Sequence, residues 1–220
     1  MAQPEQRVEV QFPDLTWEFS NPFLVSPMKV RMPADWLAEL QAHIDAECNS
    51  PARMDGSRFL AGRIRRGEQL GATASLPVKF KALFCRLGQH YVQQLAIANR
   101  VDVNPGLNVT FGESWIVKSL SGDYNPSHNH TGELSGIVYT KVPPQVADPA
   151  NMDGKLQFLF GQMKVEDMDF LGARKVIPVV GDTYIFPAWL THIVYPFEGE
   201  GERISYSFNL LVHNIQAKSE

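Results

Sequence analysis

The sequence of 220 residues has few cysteines and no long hydrophobic run, and each absence excludes a class of protein. Cys48 and Cys85 are far apart and match no Cys-x-x-Cys pattern, so neither a thiolate metal site nor a dithiol redox centre is indicated. No run of about 18 apolar residues is present, and the N-terminal residues form no apolar signal-peptide core. We therefore expect a cytoplasmic protein with reduced thiols and no membrane contact.

An excess of basic charge is also missing. Lys and Arg number 20 against 24 Asp and Glu, which gives a formal net charge of −4 with neutral histidines. This balance offers no cationic footprint for nucleic acid, and no nucleic-acid partner is expected. The substrate is expected to be a small molecule or a peptide. The sequence is compatible with a homodimer.

Hydrophobic spacing divides the chain into a helical part and a strand-rich part. Apolar residues recur every three or four positions over residues 34–50 and 77–99, which predicts two amphipathic helices. Short strands are also predicted at residues 8–12 and 23–25, and residues 49–72 are expected to be mostly loop. From residue 106 onward, six or more short segments rich in β-branched and aromatic residues alternate with turn residues.

This pattern predicts an α+β chain with a β-sandwich or barrel at its C-terminal end. We expect a single domain over residues 1–220, with helical support and outer strands in residues 1–105 and the barrel core in residues 106–214. The 16 glycines and 15 prolines then supply its turns. Trp115 and Trp189 are expected to be core residues, with a position lining the pocket as the alternative.

Three of the six histidines are candidate metal ligands. His128 and His130 are two residues apart, and in an extended strand such side chains point to the same face. His192 lies among apolar β-forming residues later in the chain. Imidazole is a common ligand of first-row transition metals, so the three histidines could hold one face of an octahedral ion. The alternative is that His128 and His130 are polar loop residues without a metal.

Arg203 is the candidate anion-binding residue. It precedes Ser205 by two positions in a segment that resembles a buried strand, so both side chains are expected on one face. A guanidinium beside a hydroxyl suits bidentate capture of a carboxylate. A buried Arg needs an anionic partner, which could be a protein carboxylate or that of a cofactor; the alternative is an exposed Arg on an edge strand.

These residues resemble a known enzyme family. The segments NPSHNHTGELSGIVYTKVP and GDTYIFPAWLTHIVYPFEGEGERISYSFN are similar to motifs of the 2-oxoglutarate/Fe(II)-dependent oxygenases of bacteria and phages. The resemblance covers residues 110–212 and implies a double-stranded β-helix, that is, a jelly-roll or cupin-like barrel. It also implies Fe(II) as cofactor and 2-oxoglutarate as co-substrate. Fe(II) would be bound by His128, His130 and His192, and 2-oxoglutarate by Arg203, Ser205 and Tyr139, with no catalytic residue beyond the metal ligands.

The sequence departs from the usual oxygenase pattern at His130, where most 2-oxoglutarate oxygenases have a carboxylate. Three hypotheses remain open for the metal. All three histidines bind it, or Glu133 replaces one of them through the flexible Thr131-Gly132 pair, or the site binds metal without oxygenase chemistry. We favour three histidines.

The sequence-level function is therefore a 2-oxoglutarate/Fe(II) dioxygenase that hydroxylates an unidentified substrate. The first alternative is a cupin-like three-histidine metalloprotein or dioxygenase that does not use 2-oxoglutarate. The second is a non-catalytic binding module.

Overall fold

Two antiparallel sheets face each other, and two helices cover the outside of the larger one. The computed structural model describes residues 17–18, 27–57, 64–160 and 173–214. The helices are α1 (Ala34–Asn49) and α2 (Val78–Asn99), and a short 3-10 helix spans Pro144–Ala147. The strands are β1 (Trp17–Glu18), β2 (Met28–Arg31), β3 (Glu68–Gly71), β4 (Asn108–Ser119), β5 (Asn125–His128), β6 (Leu134–Lys141), β7 (Leu156–Leu159), β8 (Ala173–Val176), β9 (Asp182–Pro187), β10 (His192–Val194) and β11 (Arg203–His213).

The strand order is that of a jelly roll. The large sheet runs β1-β2-β9-β6-β11-β4-β3, and the small sheet runs β5-β10-β7-β8. From β4 onward the chain passes back and forth between the sheets, with β5, β7, β8 and β10 in the small sheet and β4, β6, β9 and β11 in the large one. The predicted barrel with supporting helices is therefore confirmed as two facing antiparallel sheets.

Both helices form where the sequence predicts them. Each begins directly after a proline, Pro33 or Pro77, whose fixed φ suits the entry to a helix. The buried side of α2 packs on the outer face of the large sheet, where the ring of Phe84 stacks on that of Phe208 with centroids 4.0 Å apart. Among the described residues, neither helix is long and apolar enough to cross a bilayer.

Alternation along β11 divides its side chains between two environments. Ile204, Tyr206 and Phe208 belong to the core between the sheet and the helices. Arg203 and Ser205 point to the opposite face, into the space between the sheets. This confirms the prediction that the two polar residues share one face of a buried strand.

Some strand predictions were incomplete. β3 lies within the segment expected to be loop, and the predicted strand over residues 181–196 is divided into β9 and β10 by a turn. β5 has the sequence NPSH, which has little β propensity, and it is held by pairing with β10. The predicted strands at residues 8–12 and 23–25 lie outside the described residues.

The two cysteines are free and half-buried, as predicted. Burial raises the pKa of the Cys85 thiol to about 11. Because the thiolate is the reactive form, Cys85 should carry roughly a hundredfold less thiolate at pH 8 than a thiol of ordinary pKa. We expect iodoacetamide to alkylate Cys85 correspondingly more slowly in the native protein than in urea, measured by peptide mass spectrometry. Equal rates in the two conditions would contradict this prediction.

Candidate functional site

Strand pairing across the small sheet brings the three candidate histidines together. β5 and β10 pair so that His128 lies opposite His192. His130 lies in the turn after β5, where its backbone N–H donates to the Ala188 carbonyl, 2.9 Å away. One ring nitrogen from each histidine lies within 4.8 Å of the others, and the Nε2 atoms of His130 and His192 are 3.2 Å apart. The histidines therefore converge although only His128 and His192 are strand residues.

Backbone carbonyls fix the tautomers of two of these histidines. The Nδ1 of His128 is 2.7 Å from the Pro126 carbonyl, and the Nδ1 of His192 is 2.9 Å from the Leu190 carbonyl. A carbonyl only accepts, so each Nδ1 carries the hydrogen and each Nε2 has a lone pair; the one on His128 accepts from the Asn125 side-chain amide, 3.1 Å away. Metal-binding histidines are commonly oriented in this way.

Burial keeps the cluster neutral. It lowers the pKa of His130 to about 3 and that of His192 to about 4, and in both cases neighbouring histidines lower the value further. The pKa of His128 is also lowered by burial. At neutral pH the lone pairs are therefore free of protons, which is the form that binds a metal.

Arg203 lies in the same cavity as the histidines. Its side chain is buried, with only 4% of the residue exposed. The guanidinium donates to the Gly154 carbonyl at 2.8 Å and to the Ser119 hydroxyl at 3.1 Å. Among the described residues no carboxylate forms a salt bridge with it, and burial lowers its pKa. Within the part of the chain that the structure describes, this buried cation is paired only with neutral groups, an arrangement that favours an anionic ligand.

One cavity joins these two features. Ser205 and Tyr139 line it together with Arg203 and the three histidines. Burial raises the pKa of Tyr139, so its hydroxyl stays protonated and can donate a hydrogen bond. The cavity therefore offers neutral nitrogen donors in one part and a cation with neighbouring hydroxyls in another.

Comparison with protein families decides the class of the protein. Residues 113–209 match the model of a family described as "Putative 2OG-Fe(II) oxygenase". The matched segment contains all three histidines and Arg203. Residues 113–209, somewhat less than half of the chain, are thus similar to this oxygenase family. The protein is therefore an oxidoreductase of a class that uses Fe(II) and 2-oxoglutarate, as the sequence motifs predict.

Solved structures show the same fold for the oxygenase. A Pseudomonas putida prolyl-4-hydroxylase is 16% identical, with a TM-score of 0.53 over 83% of this chain and 91% of that chain. HygX from Streptomyces hygroscopicus, solved with nickel, 2-oxoglutarate and hygromycin B, is 12% identical, with a TM-score of 0.53 over 85% and 83%. A prolyl hydroxylase from Trichoplax adhaerens, in complex with a hypoxia inducible factor peptide fragment, is 14% identical, with a TM-score of 0.55 over 86% and 83%. At these identities the likeness establishes the double-stranded β-helix. A comparison with curated proteins found no match.

Glu133 lies apart from the histidine cluster. Its carboxylate accepts a hydrogen bond from the backbone N–H of Val212, 3.0 Å away, at the end of β11. The ligand atoms that converge in the described residues are those of the three histidines alone. The arrangement favours the three-histidine hypothesis over the one in which Glu133 replaces a histidine.

We predict that Glu133→Gln leaves the affinity of the oxygenase for Fe(II) unchanged within about twofold, since an exposed substitution away from the ligands has a small effect. Fe(II) titration under anaerobic conditions measures this affinity. His43→Gln, a substitution on α1 outside the histidine cluster, is the control and should bind Fe(II) as the parent does. A tenfold loss in Glu133→Gln would make Glu133 a ligand.

Neither Trp115 nor Trp189 occupies the expected core position, and Trp115 takes the alternative position in the cavity. Trp115 lines the cavity, and its ring centroid lies 5.2 Å from that of His130. The signal for this position was its spacing along β4, since Trp115, Val117 and Ser119 lie two residues apart and share the face that meets Arg203. The prediction of a core position for Trp189 was wrong, because this residue is 59% exposed in the turn between β9 and β10.

Proposed function

We propose that His128, His130 and His192 hold Fe(II) in this oxygenase and that Arg203 binds the distal carboxylate of 2-oxoglutarate. The observation behind the proposal is a single cavity that contains both a cluster of three neutral imidazoles and a buried guanidinium without a salt bridge among the described residues. A dicarboxylic 2-oxo acid would use both features: its 2-oxo acid end would chelate the metal on the imidazoles, and its distal carboxylate would be anchored by the guanidinium.

The residues fit the cofactor on three grounds. The imidazole nitrogens are close enough to share one ion, two of them have their lone pairs oriented by backbone carbonyls, and all three are neutral at pH 7. Three neutral ligands leave Fe(II) one unit more positive than a set with one carboxylate. Such a centre should hold an anionic chelator strongly.

The chemistry divides between the bound groups and the chain. Fe(II) with 2-oxoglutarate and oxygen supplies the oxidising power for a C–H bond. Arg203 binds the distal carboxylate, with Ser205 and Tyr139 as neighbouring donors. The Pro126 and Leu190 carbonyls hold the imidazole planes of two ligands. Trp115 forms a wall beside His130, where a substrate would lie.

We propose a small molecule or a peptide as the substrate. Among proteins of this fold, HygX was solved with hygromycin B and the Trichoplax adhaerens hydroxylase with a peptide fragment. We also propose that the chain is one cytoplasmic domain. In support, β2 and β3 from the N-terminal half pair into the same sheet as β4 and β11, and both cysteines are free.

The decisive experiment is an anaerobic titration of the protein with Fe(II) and 2-oxoglutarate, monitored for the visible metal-to-ligand charge-transfer band. We expect the band only when both are present, and succinate release once oxygen and a substrate are added. Bound iron without the band would favour a second candidate, a three-histidine dioxygenase that does not use 2-oxoglutarate. Among the described residues no carboxylate joins the histidine cluster, and this observation favours the second candidate.

A further inference from the structure

One buried carboxylate outside the cavity binds the backbone of residues 65–67, a segment next to the cavity wall. Asp123 is 1% exposed. Its Oδ1 accepts the backbone N–H groups of Arg65 at 2.8 Å and Arg66 at 3.2 Å. Its Oδ2 accepts those of Gly67 at 2.8 Å and Leu120 at 3.0 Å. We call this carboxylate and its four N–H donors the Asp123 clasp.

The clasp joins two walls of the cavity. On one side, the residue before Arg65 is Ile64, which lines the cavity. On the other side, the residue before Leu120 is Ser119, whose hydroxyl accepts from the Arg203 guanidinium. Hydrogen bonds to an ionised carboxylate are about twice as strong as neutral ones, so the clasp is a strong link between these segments.

The clasped segment lies unusually close to β4. A Cβ added at Gly67 would be 1.8 Å from the Lys118 carbonyl oxygen, so only glycine allows this approach. Gly71, four residues later on β3, has open space where a Cβ would be. The close approach and the clasp therefore fix the same segment by independent means.

We propose that Asp123 is a positioning residue for 2-oxoglutarate, acting through Ile64 and Ser119 to shape the cavity beside Arg203. The inference rests on the proposed function, since it needs 2-oxoglutarate to be the anion at Arg203. Asp123 does not touch the ligand. It holds one wall of the cavity and the hydroxyl that orients the guanidinium.

Charge alone predicts the opposite effect, which makes the proposal testable. The negative charge of Asp123 is close enough to favour the protonated form of Arg203, and it would repel a bound carboxylate. If Asp123 acted only through its charge, neutralising it would strengthen 2-oxoglutarate binding. If Asp123 acts by holding the cavity wall in place, neutralising it should weaken 2-oxoglutarate binding.

The test compares two variants with two matched controls. Asp123→Asn removes the charge, and its amide oxygen cannot accept all four N–H groups. Gly67→Ala keeps the charge and displaces the segment. Asp55→Asn is the control for the first, because Asp55 caps the Ser57 and Gln69 N–H groups beside β3. Gly71→Ala is the control for the second.

We expect the dissociation constant of 2-oxoglutarate, from the charge-transfer titration, to rise about tenfold in Asp123→Asn and Gly67→Ala. The affinity for Fe(II) without the acid should stay at the parent value in both, and both controls should bind 2-oxoglutarate as the parent does. A general loss of structure would weaken the binding of both Fe(II) and 2-oxoglutarate. Displacement of the cavity wall would weaken the binding of 2-oxoglutarate alone.

Unchanged or tighter 2-oxoglutarate binding in Asp123→Asn would overturn the proposal. If that variant does not fold, Gly67→Ala provides the test, and a parent-like affinity for 2-oxoglutarate in Gly67→Ala would contradict the proposal. If neither folds, Ile64→Ala, which shortens the wall and leaves the clasp intact, decides by the same criterion. Failure of the parent protein to show the band would instead overturn the proposed function.

Discussion

Arg203→Ala is expected to weaken 2-oxoglutarate binding by about 2–5 kcal/mol, a factor of roughly 30 or more. The guanidinium is the cation of the cavity wall, and it is held in place by the Gly154 carbonyl and the Ser119 hydroxyl. Its loss leaves a distal carboxylate buried without a charged partner, and burial of an unpaired charge is costly. The charge-transfer titration with Fe(II) at a fixed saturating concentration measures the change.

Iron binding separates this effect from general damage. Arg203 lies on β11 in the large sheet, whereas His128 and His192 are held by the small sheet. Fe(II) affinity without the acid should therefore be retained in Arg203→Ala. Arg203→Lys should bind 2-oxoglutarate with intermediate affinity, because an ammonium supplies the charge without the planar fork. If Arg203→Ala binds the acid as tightly as the parent does, the assignment of the anchor is wrong.

Features that follow from local periodicity could be predicted from the sequence. The helices over Ala34–Asn49 and Val78–Asn99 appear as apolar stripes at three- and four-residue spacing. The position of Arg203 and Ser205 on one face of β11 follows from the two-residue repeat of a strand. In both cases the pattern lies within one element and needs no knowledge of its neighbours.

Features that depend on distant pairing could not be predicted in this way. His130 belongs to a turn, and it reaches the cluster because its N–H bonds to Ala188, in the turn after β9. β5 exists because it pairs with β10, although its own residues disfavour a strand. The Asp123 clasp joins residues nearly sixty positions apart through backbone groups, which leave no side-chain pattern in the sequence.

His192→Ala is expected to remove Fe(II) binding and, with it, the charge-transfer band. His192 is 4% exposed and lies against both other histidines of the cluster, so no other described residue can replace its nitrogen without rearrangement of β10. Loss of a hydrogen-bond partner behind a metal ligand already costs roughly 10–100-fold in affinity, and loss of the ligand itself should cost more. Elemental analysis after dialysis and anaerobic Fe(II) titration measure the effect.

Two further substitutions test the donor set itself. His213→Ala is the matched control, because His213 bonds to Thr110 outside the cavity and its loss should leave the metal unaffected. His130→Asp should retain Fe(II), since it converts the cluster to two histidines and one carboxylate, an established donor set for non-haem iron. The added negative charge should then weaken the hold on 2-oxoglutarate relative to the parent, because the three-histidine centre is one unit more positive. Iron retained by His192→Ala would mean that the metal is not held by these three imidazoles. Tighter 2-oxoglutarate binding in His130→Asp would contradict the argument from the charge of the centre.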